Sequence, residues 1–173
     1  MRVKISLLIF PLLLLMTACD ELPSNTGGGG NNSGGDIDGE SARVVRVIDG
    51  DTIDVDINGT EYRVRYVGVN TPERGEACYD DAVNANRDLV QGETVTLVID
   101  TSDTDQYDRL LRYVYVGNTL VNDELVRNGY AEAVRYAPDD EFYNDFLALE
   151  REAEQRNLGC HPTGIFDDGS DTR

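Results

Sequence analysis

The chain has 173 residues, with 15 basic side chains against 33 acidic ones, a formal charge of −18, and Lys4 as its one lysine. That length suits one domain with a real core plus tails. The charge repels nucleic acid at long range and, taken alone, argues against a protein that handles it. There is no P-loop, no dinucleotide-binding glycine pattern and no Cys/His zinc spacing, and His161 is the only histidine, which makes a histidine-based mechanism a poor fit.

Met1–Lys4 is positively charged and precedes an apolar run from Ile5 to Met16. The run is too short to span a bilayer comfortably, so residues 1–18 read as a signal peptide. It ends in Leu15-Met16-Thr17-Ala18-Cys19, which resembles a bacterial lipobox with cleavage before Cys19 and lipid on its sulfur. The alternative is an ordinary signal peptide with an incidental cysteine. Residues 19–41 are rich in Gly, Asn, Ser and Asp, including Gly27–Gly30, and cannot bury enough apolar surface to order themselves. They form a flexible tether. Asp20 directly after Cys19 is weakly similar to an inner-membrane retention signal.

Loss of Arg2 and Lys4 with the leader leaves thirteen basic residues, all Arg, against the same 33 acidic ones, a net −20. Abundant Asp without lysine fits either a saline habitat, where repulsion is screened, or plain solubility with a few clustered arginines serving a local site. If Cys19 carries lipid, Cys78 and Cys160 remain as an even pair in an exported chain. That favours a disulfide, with two free thiols as the alternative.

Strands are predicted over Val44–Val47, Thr52–Ile57 and Glu61–Val69, the second and third joined by Asn58-Gly59, a strong hairpin signal. A helix runs from Asp80 to Val90. Val95, Leu97 and Ile99 alternate in a fourth strand, Asp100–Asp108 is a polar loop, and Leu110–Val116 is a fifth strand. Asn122 is the expected N-cap of a short helix closed by Gly129, and Asp139 or Asp140 that of a last helix carrying Phe142, Phe146, Leu149 and Ala153 on its core face. The domain is expected over 42–160, with a disordered tail over 161–173. Five short strands with one helix after the third and two after the fifth fit a small barrel with helices packed on it, an α+β fold.

Asp49-Gly50-Asp51 lies before the second strand and Asn70-Thr71-Pro72-Glu73 after the third, so the hairpin can bring these loops to one corner, with Arg65 leading into it. Oxygen ligands, a carboxylate and a guanidinium in one place suit phosphate chemistry with a hard cation. The motifs I-D-G-D-T, then R-Y-V-G-V-N-T-P-E, then Asp105-Gln106-Tyr107-Asp108-Arg109, then L-V-N-D-E-L-V-R-N-G-Y-A follow one another in an order that resembles the staphylococcal nuclease family over roughly 42–159.

The resemblance implies the five-stranded OB-fold barrel and a Ca²⁺-dependent endonuclease of low sequence specificity, a monomer acting on DNA, RNA or both. It implies Asp51 as a metal ligand, with Thr71 contributing its backbone carbonyl. Arg65, Glu73 and Arg109 become the catalytic set, and Tyr107 and Tyr136 the nucleotide-binding tyrosines. Arg63 has the same strand parity as Arg65, so an irregularity could exchange them. Two departures stand out. Asn70 replaces the family's usual ligating Asp, and Asp108 stands where the family usually has Gly. A nuclease-like barrel that binds nucleic acid or a protein partner without cutting is the alternative reading.

Overall fold

The computed structural model describes residues 37–167 and Gly169. The expected leader, Cys19, and the tether up to residue 36 lie outside the described residues.

The chain forms β1 (Glu40–Val47), β2 (Thr52–Ile57), β3 (Thr60–Tyr66), β4 (Val69–Asn70), α1 (Tyr79–Val90), β5 (Thr94–Val98), β6 (Leu110–Val116), β7 (Thr119–Leu120), α2 (Val121–Arg127), β8 (Glu132–Ala133) and α3 (Tyr143–Gln155). Strand order is β3-β2-β1-β5-β6-β7, and a parallel β3–β6 pairing, Val64 opposite Leu110, closes five strands into a barrel. The α+β barrel with three helices is therefore as expected. Asn58 and Gly59 both take positive φ, 53° and 88°, the turn that matches the twist of β2 and β3. Ile53, Val55, Val64, Tyr66 and Leu97 fill the core at 2% exposure or less. A register shift in β1 between Val44 and Arg46 lets Val44 and Val47 both face inward while Arg46 stays outside.

Several expectations need correction. The third strand stops at Tyr66; Gly68 turns the chain, and β4 pairs instead with β8. Ile99 lies past the end of β5 and is exposed. Asn122 is not an N-cap, because α2 already starts at Val121. Its fully buried amide instead accepts from Val114 N (3.0 Å) and donates to Val67 O (2.9 Å), tying the helix to the barrel. Asp139 does not cap α3 either. Its carboxylate accepts from Thr101 N and Ser102 N (2.8 and 2.6 Å) and so holds the 101–102 loop.

The tail is ordered further than 160. His161–Thr163 form a 3₁₀ turn and the His161 and Phe166 rings meet edge to face at 5.3 Å. The anchor is local: Cys160 N donates to Gly129 O (2.8 Å), and Cys160 is joined to Cys78 by a disulfide. That bond links positions 82 residues apart, a loop whose closure is worth about 4 kcal/mol in the chain-entropy account.

Candidate active site

The turn between β1 and β2 places Asp51 at the barrel's end. Asp51 N donates to Asp49 Oδ1 (3.1 Å), and Tyr66 N donates to Asp51 O (2.9 Å), which fastens the turn to β3. Gly50 is required by what lies over it: a Cβ there would meet Thr71 Oγ1 at 2.6 Å. That close approach delivers Thr71 to Asp51. Asp51 Oδ2 accepts from Thr71 N (2.9 Å) and Thr71 Oγ1 (3.0 Å), while Oδ1 accepts from Thr52 Oγ1 (3.1 Å).

Arg65 meets the same carboxylate, with Nε 3.2 Å from Asp51 Oδ1 and both side chains under 10% exposed. Its Nη1 donates to Tyr66 O (2.5 Å) and Val69 O (2.8 Å), and its Nη2 to Asn70 Oδ1 (3.4 Å). Asn70 Nδ2 in turn donates to Glu132 Oε1 (2.9 Å). Since the amide's NH₂ group is turned to the Glu132 carboxylate, its carbonyl oxygen is turned to Arg65. The corner thus gathers Asp51, Arg65, Asn70 and Thr71, and it is Arg65, not Arg63, that touches Asp51. Arg63 pairs with Asp54 (2.8 Å).

Two carboxylates share this end of the barrel. Burial, and then the charge of Asp51, push Asp49 up to about 6. Burial also pushes the Tyr66 hydroxyl well above its ordinary range, and that hydroxyl donates to Asn86 Oδ1 (2.9 Å). Asn86 Nδ2 donates to Asp49 O (2.9 Å), so α1 braces the turn from behind.

Arg109 is held differently. Asp105 Oδ1 accepts from Tyr107 N (2.9 Å) and Arg109 N (3.0 Å), and Oδ2 from Arg109 Nε (2.6 Å). Burial raises the Asp105 carboxyl, but these bonds from Arg109 and Tyr107 outweigh it and the net shift is downward. Asp108 takes φ 60°, the left-handed region where glycine is at ease and Asp is tolerated better than most. The Arg109 guanidinium lies 5.6 Å from the ring of Tyr107, which is 70% exposed. Tyr107, Arg109 and Arg63 line one groove.

Glu73 is exposed, its N donating to Glu76 Oε2 (2.7 Å) in the turn after Pro72. Tyr136 packs half-buried against the core, its carbonyl accepting from Asp139 N (2.7 Å). Sequence reasoning missed Glu132 and Asn86. Glu132 is one charge inside Tyr130-Ala131-Glu132-Ala133-Val134, and Asn86 is an amide on the buried face of α1 with Ala82, Val83 and Val90. A lone polar residue in an apolar setting is the signal for both.

Among the described residues, no three His, Cys, Asp or Glu side chains converge as a cage for a metal. A cation at this corner would depend on Asp51 together with neutral oxygens.

The family model described as staphylococcal nuclease homologue matches residues 63–160. The chain is 35% identical over 144 residues to the thermonuclease of Staphylococcus intermedius, covering 78% of this chain and 83% of that protein. It is 39% identical over 121 residues to Endonuclease YncB of Bacillus subtilis, covering 65% of this chain and 57% of the relative. It is 35% identical over 127 residues to a micrococcal nuclease of Shigella flexneri, covering 67% of this chain and 70% of the relative. With a closed five-stranded barrel, three helices and these relatives, the chain belongs to the staphylococcal nuclease family.

Proposed function

We propose that this chain is a monomeric, Ca²⁺-dependent endonuclease that hydrolyses phosphodiester bonds of DNA, and of RNA, with low sequence specificity, while tethered by lipid outside the cytoplasm. The observation that carries the nuclease reading is the contact of Asp51 with both Arg65 and Thr71 at one end of a nuclease-family barrel.

The donor set fits a hard cation. Asp51 supplies a carboxylate, Asn70 an amide oxygen and Thr71 a backbone carbonyl, all oxygens, as Ca²⁺ prefers. The like charges of Asp49 and Asp51 are a further reason for a cation there. When bound, Ca²⁺ would orient the phosphate and polarise it as a Lewis acid.

The chain's own residues do the rest. Arg65 and Arg109 are permanently charged and fork-shaped, so they hold phosphoryl oxygens as charge builds on them. Glu73, exposed beside the corner in sequence, positions or activates the attacking water. Tyr107 offers an open ring to a base. Asn70 and the acidic surface favour a second reading, a barrel that binds nucleic acid without cutting it.

Incubating the full chain with plasmid DNA and with RNA, in Ca²⁺ and in chelator, separates the two readings. Cleavage in Ca²⁺ alone supports the enzyme, and retention without cleavage supports the binder. Anchoring rests on the apolar run that ends at Cys19. The full-length product should enter the detergent phase and the Cys19→Ser variant should not; equal aqueous partitioning of both would end the tether proposal.

A further inference from the structure

Asp54 joins two arginines across three neighbouring strands. The register sets Arg46 opposite Asp54 and Asp54 opposite Arg63, so one row runs Arg–Asp–Arg over β1, β2 and β3. The Asp54 carboxylate is only 7% exposed and accepts from Arg63 Nε (2.8 Å), Arg63 Nη2 (3.3 Å) and Arg46 Nη2. The guanidinium side chains above it are 61% and 46% exposed. Burial raises the Asp54 carboxyl, but the two arginines outweigh it and hold it down, so it stays charged beneath them. A guanidinium has five N–H donors, and Asp54 engages few of them.

This row lines a groove of about 440 Å³ with Arg109 and with the exposed rings of Tyr62 and Tyr107. Arg109 is already paired with Asp105, and Glu61 lies on the groove's rim, but Arg46 and Arg63 share the single carboxylate of Asp54, so the row itself carries one unbalanced positive charge on a chain of net charge −18. Exposed arginines with spare donors beside open aromatics suit a nucleic-acid strand. Arg63 and Arg65 stand two residues apart on β3 and so share a face, roughly 6.7 Å apart along the strand. That is about one nucleotide step in an extended backbone.

We propose that Arg46 and Arg63, set in place by Asp54, bind the phosphodiester next to the one held by Arg65, in a single-stranded nucleic acid whose flanking base stacks on Tyr62. The strand must be single because a paired base does not offer its face to a tyrosine. The proposal rests on the nuclease reading for which phosphate Arg65 holds, but the groove's affinity for a strand does not.

Two readouts on the full chain test it. The first is fluorescence anisotropy of a labelled oligothymidylate in chelator, titrated with salt. For single strands log K falls with log salt by about 0.7 for each phosphate contact, so Arg46→Ala/Arg63→Ala should flatten the slope by up to about twice that. Arg63→Lys keeps the charge and should keep the slope. Arg46→Gln/Arg63→Gln retains donors for Asp54 and shows the same flattening if the alanine pair proves unstable. The second is the ratio of kcat/KM on an oligothymidylate to that on a one-phosphate thymidine ester, which should fall about tenfold in the Gln pair. An unchanged slope and ratio in a pair that melts like the parent would overturn the subsite, whatever the parent cuts. If the parent cuts nothing yet binds the strand through these arginines, the subsite stands and the nuclease reading falls.

Discussion

Arg65 and Arg109 have the same side chain and, in the proposed reaction, the same task, but the molecule treats them in opposite ways. Arg65 lies on a central barrel strand, under 10% exposed, and its guanidinium meets Asp51, two backbone carbonyls and Asn70. Arg109 lies where a polar loop runs into β6, is 27% exposed, and its guanidinium pairs with one carboxylate, Asp105. Arg65 is over-determined and Arg109 is steered. A buried guanidinium is a structural member whatever else it does, because the charge it neutralises has been taken out of water. A partly exposed one, whose carboxylate also holds backbone N–H donors, can be removed at less cost.

Arg65→Ala is the severest way to test that contrast. It leaves Asp51 charged and buried without its ion partner, which costs about 3 kcal/mol or more, and it removes a fixed cation from the transition state, worth about 10²–10³ in rate. The melting temperature and kcat should therefore fall together. A variant that melts like the parent would mean that Arg65 is not structural and that the two arginines are alike.

Arg109→Ala should show the other half: a similar loss of rate, about 10²–10³, with a smaller loss of stability than Arg65→Ala, because the Arg109 side chain is 27% exposed and Asp105, though 6% exposed, keeps the backbone N–H donors of residues 107 and 109. Thermal melts and single-turnover rates on the same samples decide it. Unfolding as marked as that of Arg65→Ala would break the comparison from this side. Asp105→Asn is milder still. The Asn carbonyl can keep one bond to the loop but not the charge, so kcat should drop by about tenfold, with the loss concentrated in the chemical step and not in folding.

The difference between these arginines also marks what could be read from residues alone. The barrel was legible because β2 and β3 alternate cleanly and Asn58-Gly59 dictates the hairpin between them. Asp51, Arg65 and Thr71 were legible as neighbours because that hairpin returns the chain to the turn it left. Which partners a buried group takes was not. Asn122 and Asp139 have the chemistry of helix caps, and local propensity assigns them so, but tertiary contacts claim both: Asn122 bridges two barrel segments and Asp139 holds a distant loop. Arg63 and Arg65 share strand parity, and only the position of Asp54 and Asp51 beneath them separates their roles. Tyr136 and Tyr107 are equivalent candidates by residue type, yet one packs on the core and the other stands in solvent.

The smallest effect, and the finest test of how rigidly the Arg65 corner is set, lies at Asn70. Sequence alone suggests that Asn70→Asp adds a charge at the metal with little change of shape, which should lower the Ca²⁺ requirement about tenfold, since a contact charge is worth about 1 kcal/mol in water and several times more when shielded. The structure adds a second consequence. Asn70 Nδ2 donates to Glu132 Oε1 at 2.9 Å, with both residues buried. The aspartate has no such donor and sets two carboxylates at contact, so Asn70→Asp by itself should melt lower, and Ca²⁺ should raise its melting temperature more than it raises the parent's. Glu132→Gln added to it returns an amide donor to the pair. The double variant should regain part of the lost stability, giving a coupling of about 0.5–3 kcal/mol in the four-protein cycle, and should keep the gain in Ca²⁺ affinity. Melts of all four proteins with and without Ca²⁺ measure both quantities. Simple additivity would mean that Glu132 does not set the Asn70 amide, and an unchanged Ca²⁺ response in the Asp variants would remove residue 70 from the proposed metal site.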